Sequence, residues 1–364
     1  MARIQSEARG KAASIEVQQL QERLVKCEGE VKHGAAKIVE LERAHAQVEK
    51  ERRSTAARLQ ARTAELREAQ SFLTKEDVVD DGEVLRLVET LNARIARTAD
   101  RLAHGPHFRF GSPDDTLMVE KATKRLERYT WIPPSLISTI RSGGCANDPS
   151  IIRTSLLAGM TMYTRWLATS WDLGVLDSRG LLEGIYLSIR EREPQSIAGK
   201  WRALSRTHVK SLLETGEAQT RRLFETLSII VADVLIICGA EGTWDSISGL
   251  LVREFERELH EVVDLALRFQ WTVGERILLQ DFVVFVADAD ATYDRTRMED
   301  ANAVSTGPTS AQASRGTVLC TTHLGLMSES GVEGNEDDGT PRTRTQILLK
   351  ATVVLKTEIP DSRR

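Results

Sequence analysis

The sequence predicts a mainly α protein with an N-terminal coiled-coil helix, a multi-helix globular body and a short C-terminal β-hairpin. Three observations lead there. Apolar residues from Val17 to Leu73 alternate three and four apart without losing phase, several later segments carry wide helical stripes between cap and stop signals, and the stretch from Thr345 to Lys356 switches to two-residue alternation. Aromatic content of only 5% in a chain rich in Leu, Ala, Glu and Arg also argues against a sandwich or barrel.

The N-terminal run reads as one seam made of Val17, Leu24, Val31, Ile38, His45, Arg52, Leu59, Leu66 and Leu73, interleaved with Leu20, Cys27, Gly34, Leu41, Val48, Thr55, Arg62 and Ala69. Twelve of these seventeen positions are apolar, and a strict period of 3.5 keeps them facing a partner only if two helices supercoil. Such a rod is roughly 85 Å long at 1.5 Å per residue. In a parallel pairing Arg23 meets Glu28 and Lys37 meets Glu42 of the other strand, and no like-charge pair arises. Gly34, His45, Arg52, Thr55 and Arg62 weaken the middle, so a marginal coiled coil is expected. The alternative is a single helix folded back on its own body.

Residues 1–75 therefore form the expected rod and 76–82 a hinge, followed by a helical domain over 83–297. A Ser, Thr, Gly and Ala-rich flexible linker covers 298–316, and 317–359 is a β-hairpin tail whose acidic, Gly-rich loop 328–340 reads as disordered. Within the helical domain, Glu83 to His104 carries the stripe Val84, Leu87, Val88, Leu91, Ile95 and Leu102, ended by Gly105 and Pro106. Ser112-Pro113-Asp114-Asp115 is a helix start, and that helix should run to about Tyr129, stopped by Pro133 and Pro134. Asp148-Pro149 repeats the signal ahead of Ser150 to Trp171, apolar nearly all round and hence the central helix. Helices follow over Ser178 to Arg192, Gln195 to Leu213 and Gln219 to Ile237. Asp245 then caps Ile247 to Phe269, where Leu251, Phe255, Leu259, Val262, Ala266 and Phe269 keep one face. Arg276 to Tyr293 reads as a helix or a buried strand. Thr317 to Leu326 and Thr345 to Lys356 read as the two arms of the hairpin, the second alternating through Ile347, Leu349, Ala351, Val353 and Leu355. A lone hairpin is marginal in water, so it should lie on the body or the rod.

The restart DGEVLRLVETLNARIARTADRLA, the piece TVLCTTHLGLM and the closing ILLKATVVLKTEI resemble a group of uncharacterised proteins from mushroom-forming (basidiomycete) fungi. These join an N-terminal coiled coil to a helical domain and a short strand pair. The resemblance spans most of Gly82 to Ile359 and implies architecture and a fungal intracellular setting, with no activity, ligand or site residue to carry over.

Charge and cysteines narrow the function class only mildly. Up to Lys75 there are 15 basic and 11 acidic residues, a net +4, against 34 and 42 afterwards, a net −8, which singles out neither nucleic acid nor membrane. Cys27, Cys145, Cys238 and Cys320 stand singly, as reduced thiols do, and neither a secretory signal nor an Asn-x-Ser/Thr acceptor is seen. The longest apolar run, Leu227 to Ala240, is broken by Asp233 and falls short of the roughly 20 residues of a membrane span. A protein of cytoplasm or nucleus, without membrane contact, is expected.

Chemistry-bearing motifs are sparse. VVFVADADAT, Val283 to Thr292, looks like the first motif of haloacid-dehalogenase-type phosphatases, which would make Asp288 the nucleophile and Asp290 the acid/base, with magnesium neutralising the phosphate. That chemistry needs a doubly wound sheet after the motif, and too little chain follows it. His104-Gly-Pro-His107 offers two imidazoles without a fixed common face or a third ligand. The strongest basic cluster is Lys200, Arg202, Arg206 and Lys210 with Arg221 and Arg222, a candidate anion-binding face for nucleic acid or another phosphate-rich partner. Trp166, Trp171 and Trp201 read as packing residues. The leading expectation is a non-enzymatic homo-oligomeric scaffold needing no cofactor or metal, with an oligomer seam of Val17, Leu20, Leu24, Cys27, Val31, Ile38, Leu41, Val48, Leu59, Leu66 and Leu73. A nucleic-acid- or phosphate-binding regulator comes second and the phosphatase third, and no protein partner is identified.

Overall fold

A computed structural model describes residues 2–73, 79–111, 116–142, 148–173, 180–212, 217–302, 316–332 and 342–356, with the side chains of the first helix given from 19 to 66. The chain divides into two compact units, Met1–Thr74 and Lys75–Arg364.

The first unit is one helix, α1 (Ala2–Leu73). Its unbroken length follows from the absence of proline and the abundance of Ala, Glu, Gln and Arg, all strong helix formers.

The second unit begins with α2 (Asp81–His104), started by Asp80, whose carboxylate accepts from the Glu83 N–H. It starts two residues earlier than expected because the cap is Asp80 and Gly82 is tolerated in the first turn. The helix start expected at Ser112-Pro113-Asp114-Asp115 lies outside the described residues, and α3 is described over Thr116–Arg128. Pro133 and Pro134, expected only as a stop, also begin α4 (Pro134–Ser142), since a proline at a first helical position forfeits no hydrogen bond. The central helix α5 (Pro149–Thr169) starts as expected, with Asp148 accepting from the Ser150 N–H at 2.9 Å. Then come α6 (Leu181–Arg192), α7 (Gln195–Leu212), α8 (Glu217–Ile237) and α9 (Trp244–Trp271). The cap of α9 is Thr243, whose hydroxyl accepts from Ser246, and Asp245 sits instead in the first turn, where its charge complements the helix dipole.

Helices α2, α5, α8 and α9 pack around one core, with α3 laid on α8. The α9 stripe of Leu251, Phe255, Leu259, Val262, Ala266 and Phe269 is buried, as is the α2 stripe. Each such large side chain contributes about 1.5–3 kcal/mol on leaving water.

A π-helical turn, Thr272–Arg276, ends α9 and leads to β1 (Asp281–Phe285), which settles the helix-or-strand ambiguity of Arg276 to Tyr293 and puts a strand inside the expected helical domain. The strands β2 (Met298–Asp300), β3 (Val318–His323), β4 (Gly325–Val332), β5 (Arg342–Leu349) and β6 (Ala351–Leu355) complete two three-stranded sheets. The expected hairpin is present as β3 with β6 and β4 with β5, both antiparallel, one long ribbon broken at Leu324 and Lys350. Each half gains a strand from outside the tail. The Leu326 half takes β1 antiparallel, and the Val353 half takes β2 in parallel. Met298 to Asp300 is thus strand where linker was expected, and Ser328 to Val332 is strand where disorder was expected. Residues 303–315 and 333–341 lie outside the described residues, as does Cys145.

The ribbon is clasped to the helical body. Asn92 of α2 donates to the Leu324 carbonyl and accepts from the Leu324 N–H, both at 3.0 Å, which satisfies the backbone where the ribbon breaks. Thr161 of α5 donates to the Thr322 carbonyl at 2.9 Å. Among the described residues no helix is long and apolar enough to cross a membrane.

Candidate functional site

Eight seam side chains of α1, Leu20, Leu24, Val31, Ile38, Leu41, Val48, Leu59 and Leu66, are 56–71% exposed on their helix. Among the described residues of α1, the exposed large apolar side chains that lie off the seam are Val25 and Val39. Val17 and Leu73 fall outside the described side chains, and Cys27 is exposed on the same stripe. Three of the polar interruptions are satisfied within the helix. Arg52 pairs with Glu49 at 3.2 Å and Arg62 with Glu65 at 2.9 Å, which draws each guanidinium to the flank and leaves its methylene stem on the seam. Thr55 donates to the Glu51 carbonyl at 2.9 Å, so its hydroxyl is occupied too. Arg23, Glu28, Lys37 and Glu42 have no ion pair among the described residues.

The candidate anion-binding face does not assemble. Ala198, Arg202, Arg206 and Val209 follow one another at helical spacing, and Lys200, Arg202 and Val209 are buried, so this part of α7 turns inward. Arg202 pairs with the buried Asp281 of β1, and its Nη1 donates to the Tyr186 hydroxyl at 3.0 Å. Tyr186 in turn donates to Asp281 at 2.6 Å, and Arg190 bridges Asp281 at 3.2 Å and Glu329 at 2.6 Å. Asp281 and Glu329 stand opposite each other on β1 and β4, so the two arginines neutralise a like-charge pair and dock α6 and α7 on the sheet. Arg206 lies 4.5 Å from the Trp171 ring centroid and donates to the Ser170 and Thr169 carbonyls at 3.3 and 3.4 Å. Burial, together with the charge of Arg202, lowers its pKa to about 10. Lys210 approaches Glu275 at 3.9 Å, Arg221 pairs with Glu225 at 3.1 Å, and Arg222 points to solvent. The cluster is a set of internal ties plus surface charges, because a charge run stays solvated only where no buried counter-charge meets it.

Asp288 and Asp290 are exposed beyond β1, an antiparallel edge strand. Asp290 pairs with Lys356. The phosphatase arrangement requires a parallel, doubly wound sheet around that strand, and the antiparallel pairing with β4 rules it out. His104 is exposed, His107 sets its ring edge-on to Phe255 at 5.3 Å, and no group of three or more His, Cys, Asp or Glu that could hold a metal occurs among the described residues.

One cleft of about 710 Å³ opens between α3, α5 and α8. Its aromatic wall is Tyr129, Trp131 and Trp166, with Trp131 edge-to-face on Trp166 at 6.0 Å and Tyr129 stacked on Trp131 at 6.1 Å. The facing wall is Ile229 and Ile230 of α8. At its base Asp233, with a side chain 2% exposed, accepts from both Nε at 2.8 Å and Nη2 at 2.5 Å of Arg125. Burial pushes the Asp233 carboxyl above its ordinary value against the pull of Arg125, while the bond to Asp233 raises Arg125.

Two strained residues frame this cleft. Thr130, with φ +53°, and Leu173, with φ +52°, are two of three described non-glycine residues in the left-handed region. At the end of α3 the Thr130 N–H bonds to Glu127 and the Trp131 N–H to Leu126, a Schellman closure with a β-branched residue where glycine is normal. The end of α8 closes in the same way with Gly239, φ +90°, in that place. A strained residue of this kind costs about 1–3 kcal/mol. In the sequence Trp166 reads as packing and Asp233 as a break in an apolar run, and nothing marks Tyr129, Trp131 or Ile229 as site residues. Their only sequence signal was an Asp interrupting an apolar helix. The chain matches no protein-family model, no curated protein and no solved structure.

Proposed function

We propose that this chain is a non-enzymatic interaction protein that self-associates through α1 and displays two or more copies of its helical body. The observation that carries this reading is the row of exposed apolar side chains on α1, with every polar break except Gly34 and His45 tied back to its own helix. An apolar stripe of that length is rarely left in water, and a second copy offers its complement. The unpaired Arg23, Glu28, Lys37 and Glu42 favour the parallel, in-register arrangement, where each meets an opposite charge. Exposed pairs of this kind are worth about 0.3–0.5 kcal/mol each, so they select orientation more than they stabilise. Association of this type raises the effective concentration of whatever the body binds without adding a contact. Singly placed thiols fit a reducing compartment, cytoplasm or nucleus.

Cys27 supplies the test. In a parallel, in-register pair the two Cys27 side chains face each other across the seam, so mild oxidation of the full chain should give a covalent dimer that Cys27→Ser lacks. A chain that remains monomeric on a non-reducing gel after oxidation contradicts this arrangement.

A further inference from the structure

We propose that the cleft between α3, α5 and α8 is a binding site for a small, planar, mostly apolar anion, with an aromatic carboxylate as its simplest form. This is independent of the association through α1. Size is the first argument, because about 710 Å³ lies in the range of small-molecule pockets and is too confined for a protein interface. The walls set the apolar, planar character, since Trp131, Trp166 and Tyr129 present ring faces and edges opposite Ile229 and Ile230.

Charge sets the sign. Arg165 lines the cleft, is exposed and has no ion pair among the described residues, and Arg125 uses Nε and Nη2 on Asp233 while its Nη1 is not part of that bond. Two guanidiniums against one buried, doubly bonded carboxylate leave one positive charge for a ligand. A planar guanidinium fork matches a carboxylate in a way a lone ammonium does not. The framing residues add the last argument. Thr130 and Leu173 hold strained backbone on two sides of the same cleft, and strain of that kind persists where surrounding packing fixes the shape of a site.

The test is calorimetric titration of the full chain with 2-naphthoate and with its neutral amide, 2-naphthamide. Saturable binding of naphthoate at one site per chain is expected. Arg165→Gln should weaken naphthoate about tenfold and leave the amide unchanged. Ile229→Trp, on a half-exposed position, should fill the cleft and remove both, with the tryptophan fluorescence and unfolding midpoint confirming an intact body. Absence of saturable naphthoate binding up to millimolar concentration overturns the proposal. So does an Arg165→Gln chain that loses both probes equally, or an Ile229→Trp chain that binds as before.

Discussion

Leu24 of α1 and Leu91 of α2 are the same side chain on the same type of element, yet the first is 60% exposed and the second 0%. In the body, each apolar face meets another face of the same chain, and polar groups caught inside are answered by name, as Asp281 is by Arg202 or Leu324 by Asn92. In α1 the described apolar face meets nothing of comparable extent within its own unit, and Arg52, Arg62 and Thr55 are answered by their own helix. The difference teaches that the two units carry information of different kinds. One unit buries its apolar surface in folding, whereas the other leaves a stripe of it exposed.

Substitutions that separate these two roles sharpen the comparison, and all six tryptophans lie in the body, so their fluorescence reports it without α1. The largest effect is expected at Asp281. Asp281→Asn removes the counter-charge of the buried Arg202 and should cost the body about 4 kcal/mol in urea unfolding. Leu91→Ala empties a fully buried site and should cost about 3 kcal/mol. Neither should change the mass in solution of the chain while it remains folded. Conversely, Leu41→Asp with Leu59→Asp should lower that mass and leave the tryptophan unfolding curve where it was, since both positions are exposed on α1 and lie outside the core of the body. If the seam variant lowers body stability as much as Leu91→Ala does, the division of roles fails.

Smaller effects probe how the body is closed. His323 of β3 is held below its ordinary pKa of 6.5, first by burial and then by the charge of Arg153. The unfolded chain therefore takes up that proton more readily. Stability from this residue is complete above 6.5 and is lost as pH falls from there towards the lowered folded value. Urea unfolding at about pH 7.5 and about pH 5.5 should show this loss, and His323→Gln should reduce it. The smallest change is a gain. Thr130→Gly places at the end of α3 the residue that closes α8, and should raise body stability by about 1 kcal/mol. A loss on Thr130→Gly would mean the side chain repays its strain through contacts.

The same contrast explains what was legible in the sequence. The phase of α1 was readable because a 3.5-residue repeat requires no knowledge of the remainder of the chain. Caps such as Asp148 with Pro149 were readable for the same local reason. Helix α4 is not legible because Pro133-Pro134 reads as a stop signal, whereas α3 already closes at Thr130 and Pro134 begins the next helix. The basic run from Lys200 was misplaced because its burial depends on Asp281, a residue on another element far along the chain. The hairpin was visible, but not its division between two sheets, which requires β1 and β2 from outside the tail. The cleft was hidden most completely. Tyr129, Trp166 and Asp233 come from three separate elements, and the strain at Thr130 exists only as a backbone angle.

The account rests most directly on the mass of the full chain in solution, measured by light scattering on a sizing column. A mass of at least twice the 40.5 kDa of one chain, falling to 40.5 kDa for the Leu41→Asp, Leu59→Asp variant, is the predicted result. A full chain that elutes at 40.5 kDa across the accessible concentrations contradicts it, and leaves the exposed seam of α1 without the partner proposed for it.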